Sequence, residues 1–153
     1  MKSEADFNGK FEFSLRWLRL VSLLSAGFCF AMIFFGGLDP WHALDGLIWE
    51  DLYGSAELPG PAQPAYLLIF RLFCWLSVLS FSLLFLIVKH ALMKRERWAY
   101  LAVLLTGAGW PFGRACLALS CKAYSYLFSS LLTGLLFFPP LIQLYPYFRK
   151  GGC

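Results

Sequence analysis

Charged side chains are scarce in this chain: Asp, Glu, Lys and Arg make up only 14% of its 153 residues, whereas 59% are hydrophobic. A soluble domain is typically about a quarter charged, so this chain has too little polar surface to cover a folded body in water. The apolar residues also come in continuous blocks and not in the alternating or 3.6-residue pattern of half-buried elements. The composition excludes an ordinary soluble domain and indicates a membrane protein.

Four of the apolar blocks reach the length of about 20 residues that a bilayer-spanning helix needs. They cover residues 18–38, 66–88, 98–119 and 124–145. These blocks predict an all-α fold, a bundle of four transmembrane helices that forms one domain over residues 1–153. Residues 1–14 are polar and mixed in charge, and we expect them to lie on the membrane surface or to be disordered.

Basic residues are missing from the predicted loop 39–65, which carries five acids instead. The segments before the first span, between the second and third spans (89–97) and after the fourth span all carry Lys and Arg. By the positive-inside rule, both termini and loop 89–97 are cytoplasmic and loop 39–65 is outside, as in a bacterial inner membrane. Because the basic residues flank spans and form no separate face, we do not expect nucleic acid as a partner.

The start of loop 39–65 has the pattern of a short surface helix. Asp39 suits an N-cap, Pro40 suits the first helical turn, and apolar residues then recur at helical spacing. We predict an amphipathic helix that lies on the outer membrane surface, with its tryptophans at the headgroup level.

Asp, Glu, Lys and His are absent from the spans. Catalysis inside a membrane needs a general acid, a base, a nucleophile or a metal, and proton-coupled transport usually needs an embedded carboxylate. The two histidines, His42 and His90, fall on opposite sides of the membrane in this topology. We therefore expect no metal site and no cofactor, and a non-enzymatic role is favoured.

Arginine is the exception, because Arg71 and Arg114 each lie about five residues inside the outer end of their spans, roughly 7–8 Å deep. A short loop joins these two spans, so we expect the two guanidiniums to lie near each other at matching depth. Three interpretations stay open. The side chains extend to lipid phosphates at the interface, one of them pairs with an acid of loop 39–65, or they bind an anion such as a lipid headgroup or an acidic small molecule.

Small residues recur at helical spacing on one face of the third span. They are Ala102, Thr106, Gly109 and Gly113. Since small side chains let helices approach closely in lipid, we predict the tightest helix contact along this face. Pro111 is expected to kink the same helix or to loosen its hydrogen bonding, and Pro139-Pro140 is expected to kink or break the fourth span.

No Cys-x-x-Cys pair, the motif of membrane thiol oxidoreductases, occurs among the five cysteines. Cys116 and Cys121 lie five residues apart near the predicted outer end of the third span, where an oxidising compartment would permit a disulfide. Positions five apart on a straight helix point about 140° away from each other, so a bridge requires the helix to end between them. A thiol-redox protein that uses this pair is one alternative function, and a small transporter with a water path to the two arginines is another.

Four stretches carry a resemblance in layout to a known group of proteins. They are "LRWLRLVSLL" at the start of the first span, "GGLDP" at its end, "KRERWAYLAVLL" before and into the third span, and the proline-rich end of the fourth. In these stretches the chain resembles small bacterial four-helix inner-membrane proteins of the DoxX-like kind and related uncharacterised families. The resemblance implies a four-helix bundle and fits an accessory role beside an oxidoreductase.

The function that these observations favour is that of a non-enzymatic membrane component. We expect either an accessory subunit or a binder of lipid or of another hydrophobic molecule. The partners expected are membrane lipid and either another membrane protein or a second copy of this chain.

Overall fold

The computed structural model describes residues 4–35 and 63–149, together with the single positions Gly46, Glu50, Gly54 and Gly60. The predicted amphipathic helix at the start of loop 39–65 therefore lies outside the described residues, apart from those isolated positions. Within the described ranges the fold is all-α, with no strand. The helices are α1 Glu4–Phe35, α2 Gln63–His90, a 3₁₀ helix Leu92–Lys94, α3 Arg97–Gly107, α4 Gly109–Ser120 and α5 Tyr124–Arg149.

Four helical stretches are long and apolar enough to cross a membrane, and they overlap all four predicted spans. They are Asn8–Phe35, Gln63–Lys94, Arg97–Ser120 and Tyr124–Arg149. Large apolar side chains cover their outward surfaces; Leu105, for example, is 73% exposed and Phe128 is 71% exposed. Such surfaces are unfavourable in water and match lipid tails. The all-α class and the membrane-protein class are thus confirmed.

Consecutive spans run antiparallel, so the bundle has two chemically different ends. We refer to the end that holds the start of α1, the turn 89–97 and the end of α5 as the basic end. The opposite end, which holds Phe35, Gln63 and the turn 121–123, is referred to as the loop end.

The hydrophobic core fills the half of the bundle that is nearer the basic end. Its large, fully buried side chains come from every span and from the 3₁₀ helix: Leu18, Leu84, Val88, Leu92, Val103, Phe137, Leu141 and Leu144. Buried residues nearer the loop end are mostly small or polar, for example Cys74, Ala118 and Ser130. Because small side chains fill less of the space between helices, the loop-end half has room for cavities.

The segment 1–14 was expected to be on the membrane surface or disordered, and for residues 4–14 this expectation is wrong. Helix α1 begins at Glu4 and continues into the first span without a break. Phe11 is buried, and its ring packs on those of Tyr147 and Phe148 with centroids 4.8 and 6.4 Å away. The end of α5 therefore provides the apolar contact that holds this polar segment in a helix.

The tightest helix contact is not on the predicted small-residue face. Gly109 and Gly113 are exposed, and nothing lies within 4 Å of a methyl group added at either position. Gly107 makes the close contact instead, since an added methyl would meet Phe137 of α5 at 3.0 Å and Leu141 at 3.5 Å. The prediction failed because α3 ends at Gly107 and α4 starts afresh at Gly109, so residues beyond the break do not continue the stripe.

The break between α3 and α4 follows from Pro111. Proline has no backbone N–H and its ring crowds the carbonyl four residues earlier, which here belongs to Gly107. The helix is interrupted at Ala108, the single residue between the two helices. The expected effect of Pro111 on the third span is thereby confirmed.

Prolines do not break α5, which continues through Pro139, Pro140 and Pro146 to Arg149. The Leu136 carbonyl would normally accept a hydrogen bond from the N–H of residue 140, which proline lacks. Trp17 of α1 donates its indole N–H to this carbonyl at 2.9 Å. A neighbouring helix thus supplies the missing donor, as polytopic membrane proteins require.

Gly107→Ala is expected to lower the free energy of unfolding by about 1–3 kcal/mol, because overpacking a filled site strains its neighbours. The Phe137 ring cannot easily move away, since it is 1% exposed and stacks on Phe81. The measurement is thermal unfolding of the purified protein in one detergent. Gly113→Ala serves as the control, because its methyl enters open space; equal melting temperatures for the two variants would contradict the close contact.

Trp17→Phe is expected to cost about 1–3 kcal/mol, because it leaves the Leu136 carbonyl without a donor. In a Pro140→Ala background the restored N–H at position 140 can bond that carbonyl, so the same Trp17 change is expected to cost clearly less. A double-mutant cycle on unfolding free energies measures this coupling. Equal costs of Trp17→Phe in both backgrounds would show that the indole does not replace the proline's missing donor.

Candidate functional site

A cavity of about 310 Å³ lies in the loop-end half of the bundle, and all four spans contribute to its wall. Its polar lining consists of Ser25, Cys29, Ser77, Arg114 and Thr133. Its apolar lining consists of Leu24, Phe28, Phe73, Phe81 and Trp110. The combination of apolar walls with a few polar groups is typical of small-molecule sites. We refer to this space as the central cavity.

Arg114 is the cationic residue of the central cavity, and contacts with α5 fix its side chain. Its guanidinium carbon lies 4.3 Å from the centroid of the Tyr126 ring, a cation–π contact. One terminal nitrogen donates a hydrogen bond to the Ser129 hydroxyl at 3.0 Å, and that hydroxyl donates in turn to the Tyr126 carbonyl at 2.9 Å. The guanidinium is therefore held in position before any ligand binds.

The Arg114 guanidinium is nevertheless incompletely paired. Its Nε is buried and has no hydrogen-bond partner among the described residues. No carboxylate of the described part of the chain forms an ion pair with it, whereas Arg16 pairs with Glu12. A cation at membrane depth without a counter-charge is costly, so an acidic ligand near Arg114 would lower the energy of the site.

The hydroxyl groups of the central cavity complement this cation. Ser77 and Thr133 each donate their proton to the carbonyl four residues earlier in their own helix, at 2.9 Å in both cases. Their oxygens keep lone pairs and can still accept hydrogen bonds. The cavity wall thus offers a positive charge at one place and hydrogen-bond acceptors at others, which suits a ligand with an acidic group and a hydroxyl or amine.

A second cavity of about 340 Å³ adjoins the first along α2 and the α3–α4 break. The two share Ser77, Phe81 and Trp110 in their walls. Thr106 and Gly109, predicted to make a helix contact, line this second cavity instead. The Thr106 hydroxyl donates a hydrogen bond to the backbone carbonyl of Ala102 at 2.9 Å, so this hydroxyl bonds within α3 and not to another helix.

Of the two predicted anion-binding arginines, only Arg114 lies at the central cavity. Arg71 is exposed and does not line its wall. The expected proximity of the two guanidiniums stays a prediction, and the structure shows only that Arg71 is exposed and lies outside the central cavity. The proposed acids of loop 39–65 lie outside the described residues, apart from Glu50, which is exposed.

The partners of Arg114 were not identified from the sequence, although a signal for them exists. The turn 121–123 is short, so α4 and α5 must be antiparallel neighbours. Positions at equal distance from such a turn face each other, and Ser129 lies about as far after it as Arg114 lies before it. Cys29 and Ser77 had no comparable signal, because their helix faces are set by packing with more distant segments.

Cys116 and Cys121 are both free and exposed. Helix α4 ends at Ser120, between the two residues, which is the condition that a bridge would need. The structure nevertheless has no disulfide there. Among the described residues, no group of three His, Cys, Asp or Glu side chains is placed to hold a metal ion.

Because both thiols are free, we expect Cys116 and Cys121 to be alkylated to the same extent with and without reductant. The measurement is peptide mass spectrometry after denaturation and treatment with iodoacetamide. Cys74, a buried cysteine that is not part of a disulfide, gives the reference for complete alkylation in the same sample. If reductant raised the alkylation of Cys116 and Cys121 together, the two would be bridged in the native protein.

Comparison of the chain with family models, with curated proteins and with solved structures found no match. The resemblance in layout to DoxX-like proteins therefore stays an expectation from the sequence.

Proposed function

We propose that this protein is a non-enzymatic membrane component that binds an amphipathic molecule with an acidic group in the central cavity. The observation that carries the proposal is Arg114, a fixed cation with a buried, unpartnered Nε in a cavity lined by all four spans. The ligand's acid group would lie at Arg114 and its apolar body among the surrounding aromatic side chains.

The aromatic side chains of the cavity support an apolar ligand body. Trp110 stacks on Phe73 with ring centroids 5.3 Å apart and planes at 24°, so two helices present one continuous aromatic surface. The volume of about 310 Å³ is at the lower end of the range of small-molecule sites. These features favour a compact hydrophobic group such as part of an acyl chain or a ring.

Placement in the membrane follows from the charges of the sequence. We propose that the basic end faces the cytoplasm of a bacterial cell, with both termini inside an inner membrane, because Lys and Arg cluster in the segments at that end. Arg114 lies six residues before the end of α4, about 9 Å along the helix axis. The acid group of a ligand would then lie at the level of the outer leaflet.

An accessory role is the wider biological setting that we propose for this binding. The exposed apolar surface gives a second membrane protein, or a second copy of this chain, ample contact area, and the predicted spans contain no Asp, Glu, Lys or His. The ligand would then be presented to, or taken from, the partner protein. Co-purification of a stoichiometric partner in mild detergent would support this setting.

Arg114→Gln is expected to weaken retention of oleate strongly, because it removes the charge and the planar donor set while keeping an amide of similar reach. The measurement is native mass spectrometry in mild detergent after addition of oleate or the neutral oleyl alcohol. We expect the unsubstituted protein to retain oleate in preference to oleyl alcohol. Loss of a charge-assisted contact corresponds to about tenfold weaker binding or more.

Arg71→Gln is the matched control, since it removes the same charge from the membrane-facing surface of α2 and not from the cavity. Retention of oleate by this variant, together with its loss in Arg114→Gln, supports the proposal. Equal retention by both variants, or retention of oleyl alcohol as strong as that of oleate, would refute the assignment of Arg114 as the anion contact.

A further inference from the structure

A third cavity, which has a basic lining, lies at the basic end of the bundle, remote from Arg114. It has a volume of about 500 Å³, and α1 and the turn 89–97 form its wall. Its lining includes three arginines and one glutamate, which gives it a net charge of +2. The arginines are Arg16, Arg19 and Arg95. We refer to this space as the basic cavity.

Arg19 is the innermost cation of the basic cavity and is incompletely paired. Its side chain is half-buried, and its Nε is buried without a hydrogen-bond partner among the described residues. Arg16, one turn earlier on the same helix face, forms an exposed ion pair with Glu12 at 3.3 Å. The glutamate is thus engaged by Arg16, and the charge of Arg19 has no carboxylate partner.

Arg95 reaches the basic cavity from a backbone position that arginine rarely occupies. Its φ of 58° is left-handed, a conformation that disfavours residues with a Cβ and suits glycine or asparagine. Its guanidinium carbon lies 4.9 Å from the Phe11 ring centroid, and one terminal nitrogen donates to the Asn8 side chain at 3.3 Å. This left-handed residue caps the 3₁₀ helix, since its N–H donates to the Leu92 carbonyl, and the turn directs its side chain back onto α1.

The depth of the basic cavity matches that of lipid phosphates. Arg19 lies sixteen residues before the end of α1 at Phe35, which is about 24 Å along the helix axis. The hydrocarbon core of a bilayer is about 30 Å thick. If Phe35 lies near one boundary of that core, Arg19 lies close to the other, where headgroup phosphates begin.

We propose that the basic cavity binds the phosphate group of an anionic lipid headgroup, with Arg19 and Arg95 as its principal contacts. Two guanidiniums from different segments can bind one phosphate from two sides, and the planar donor set of arginine fits phosphate oxygens. A phosphate there would provide the acceptor that Arg19 lacks. The headgroup would also bridge α1 to the turn between α2 and α3.

The experiment is native mass spectrometry of the whole protein in mild detergent, with phosphatidylglycerol or phosphatidylcholine of the same acyl chains added in turn. We expect phosphatidylglycerol to be retained in preference to phosphatidylcholine, and the Arg19→Gln/Arg95→Gln double variant to retain about tenfold less of it. Lys94→Gln is the matched control, because it removes a neighbouring exposed charge that does not line the cavity. Unchanged binding in the double variant, or an equal loss in Lys94→Gln, would overturn the proposal.

A second variant and a competition measurement distinguish lipid binding from misfolding and from binding of a soluble anion. Arg19→Lys/Arg95→Lys keeps the charges, so partial recovery of phosphatidylglycerol binding supports recognition by charge and excludes misfolding as the cause of the loss. Millimolar inorganic phosphate added to the complex tests the source of the phosphate group. If it displaces the lipid, the site is one for a soluble anion and the lipid assignment is wrong; if it does not, the lipid assignment is supported. The central cavity has its own variants, so either proposal can fail without the other.

Discussion

A backbone carbonyl at membrane depth must find its hydrogen-bond donor within the protein, because lipid tails provide none. The prolines of α4 and α5 make this constraint acute, since each removes the donor that a carbonyl one turn earlier would use. Two of these prolines are accommodated in different ways. At Pro111 the helix is interrupted and restarted, whereas at Pro140 the helix continues and Trp17 donates from another helix. The paths of the third and fourth spans depend on these two solutions.

Both solutions also determine where the bundle is filled and where it is open. The indole contact joins α1 to α5 beside the hydrophobic core, where Phe137, Leu141 and Leu144 are almost fully buried. The interruption at Ala108 lies at the transition to the loop-end half, and Trp110, just past it, lines two adjoining cavities. The bundle thus combines a packed half, which provides stability, with a looser half that holds Arg114 among aromatic and hydroxyl side chains.

The sequence predicted the class of the fold and the approximate spans, because long uncharged blocks have few structural alternatives. It also predicted an effect of Pro111 and singled out Arg114. The predicted helix contact along the small-residue face was wrong, since Gly109 and Gly113 share a face with Ala102 and Thr106 only if the helix is continuous. The sequence could not place Arg71 relative to the central cavity, because the loop length between two spans limits their distance but not the rotation of each helix about its own axis.

The segment 4–14 shows a different limit of sequence reasoning. Its polar composition predicts a surface or disordered segment, yet Phe11 packs on aromatic residues from the other end of the chain. Contacts between residues that are more than a hundred positions apart leave no local pattern. The basic cavity was missed for the same reason, because its arginines come from α1 and from a turn that is far away in sequence.

The hydrogen bond between Trp17 and the Leu136 carbonyl makes substitutions at positions 17 and 140 depend on each other during evolution. A descendant of this chain that replaced Pro140 would regain a donor within its own helix and would then be free to lose the tryptophan. A descendant that lost the tryptophan first would carry an unsatisfied carbonyl in an apolar surrounding. Substitutions at positions 17 and 140 should therefore accumulate in a preferred order, with the proline replaced before the indole.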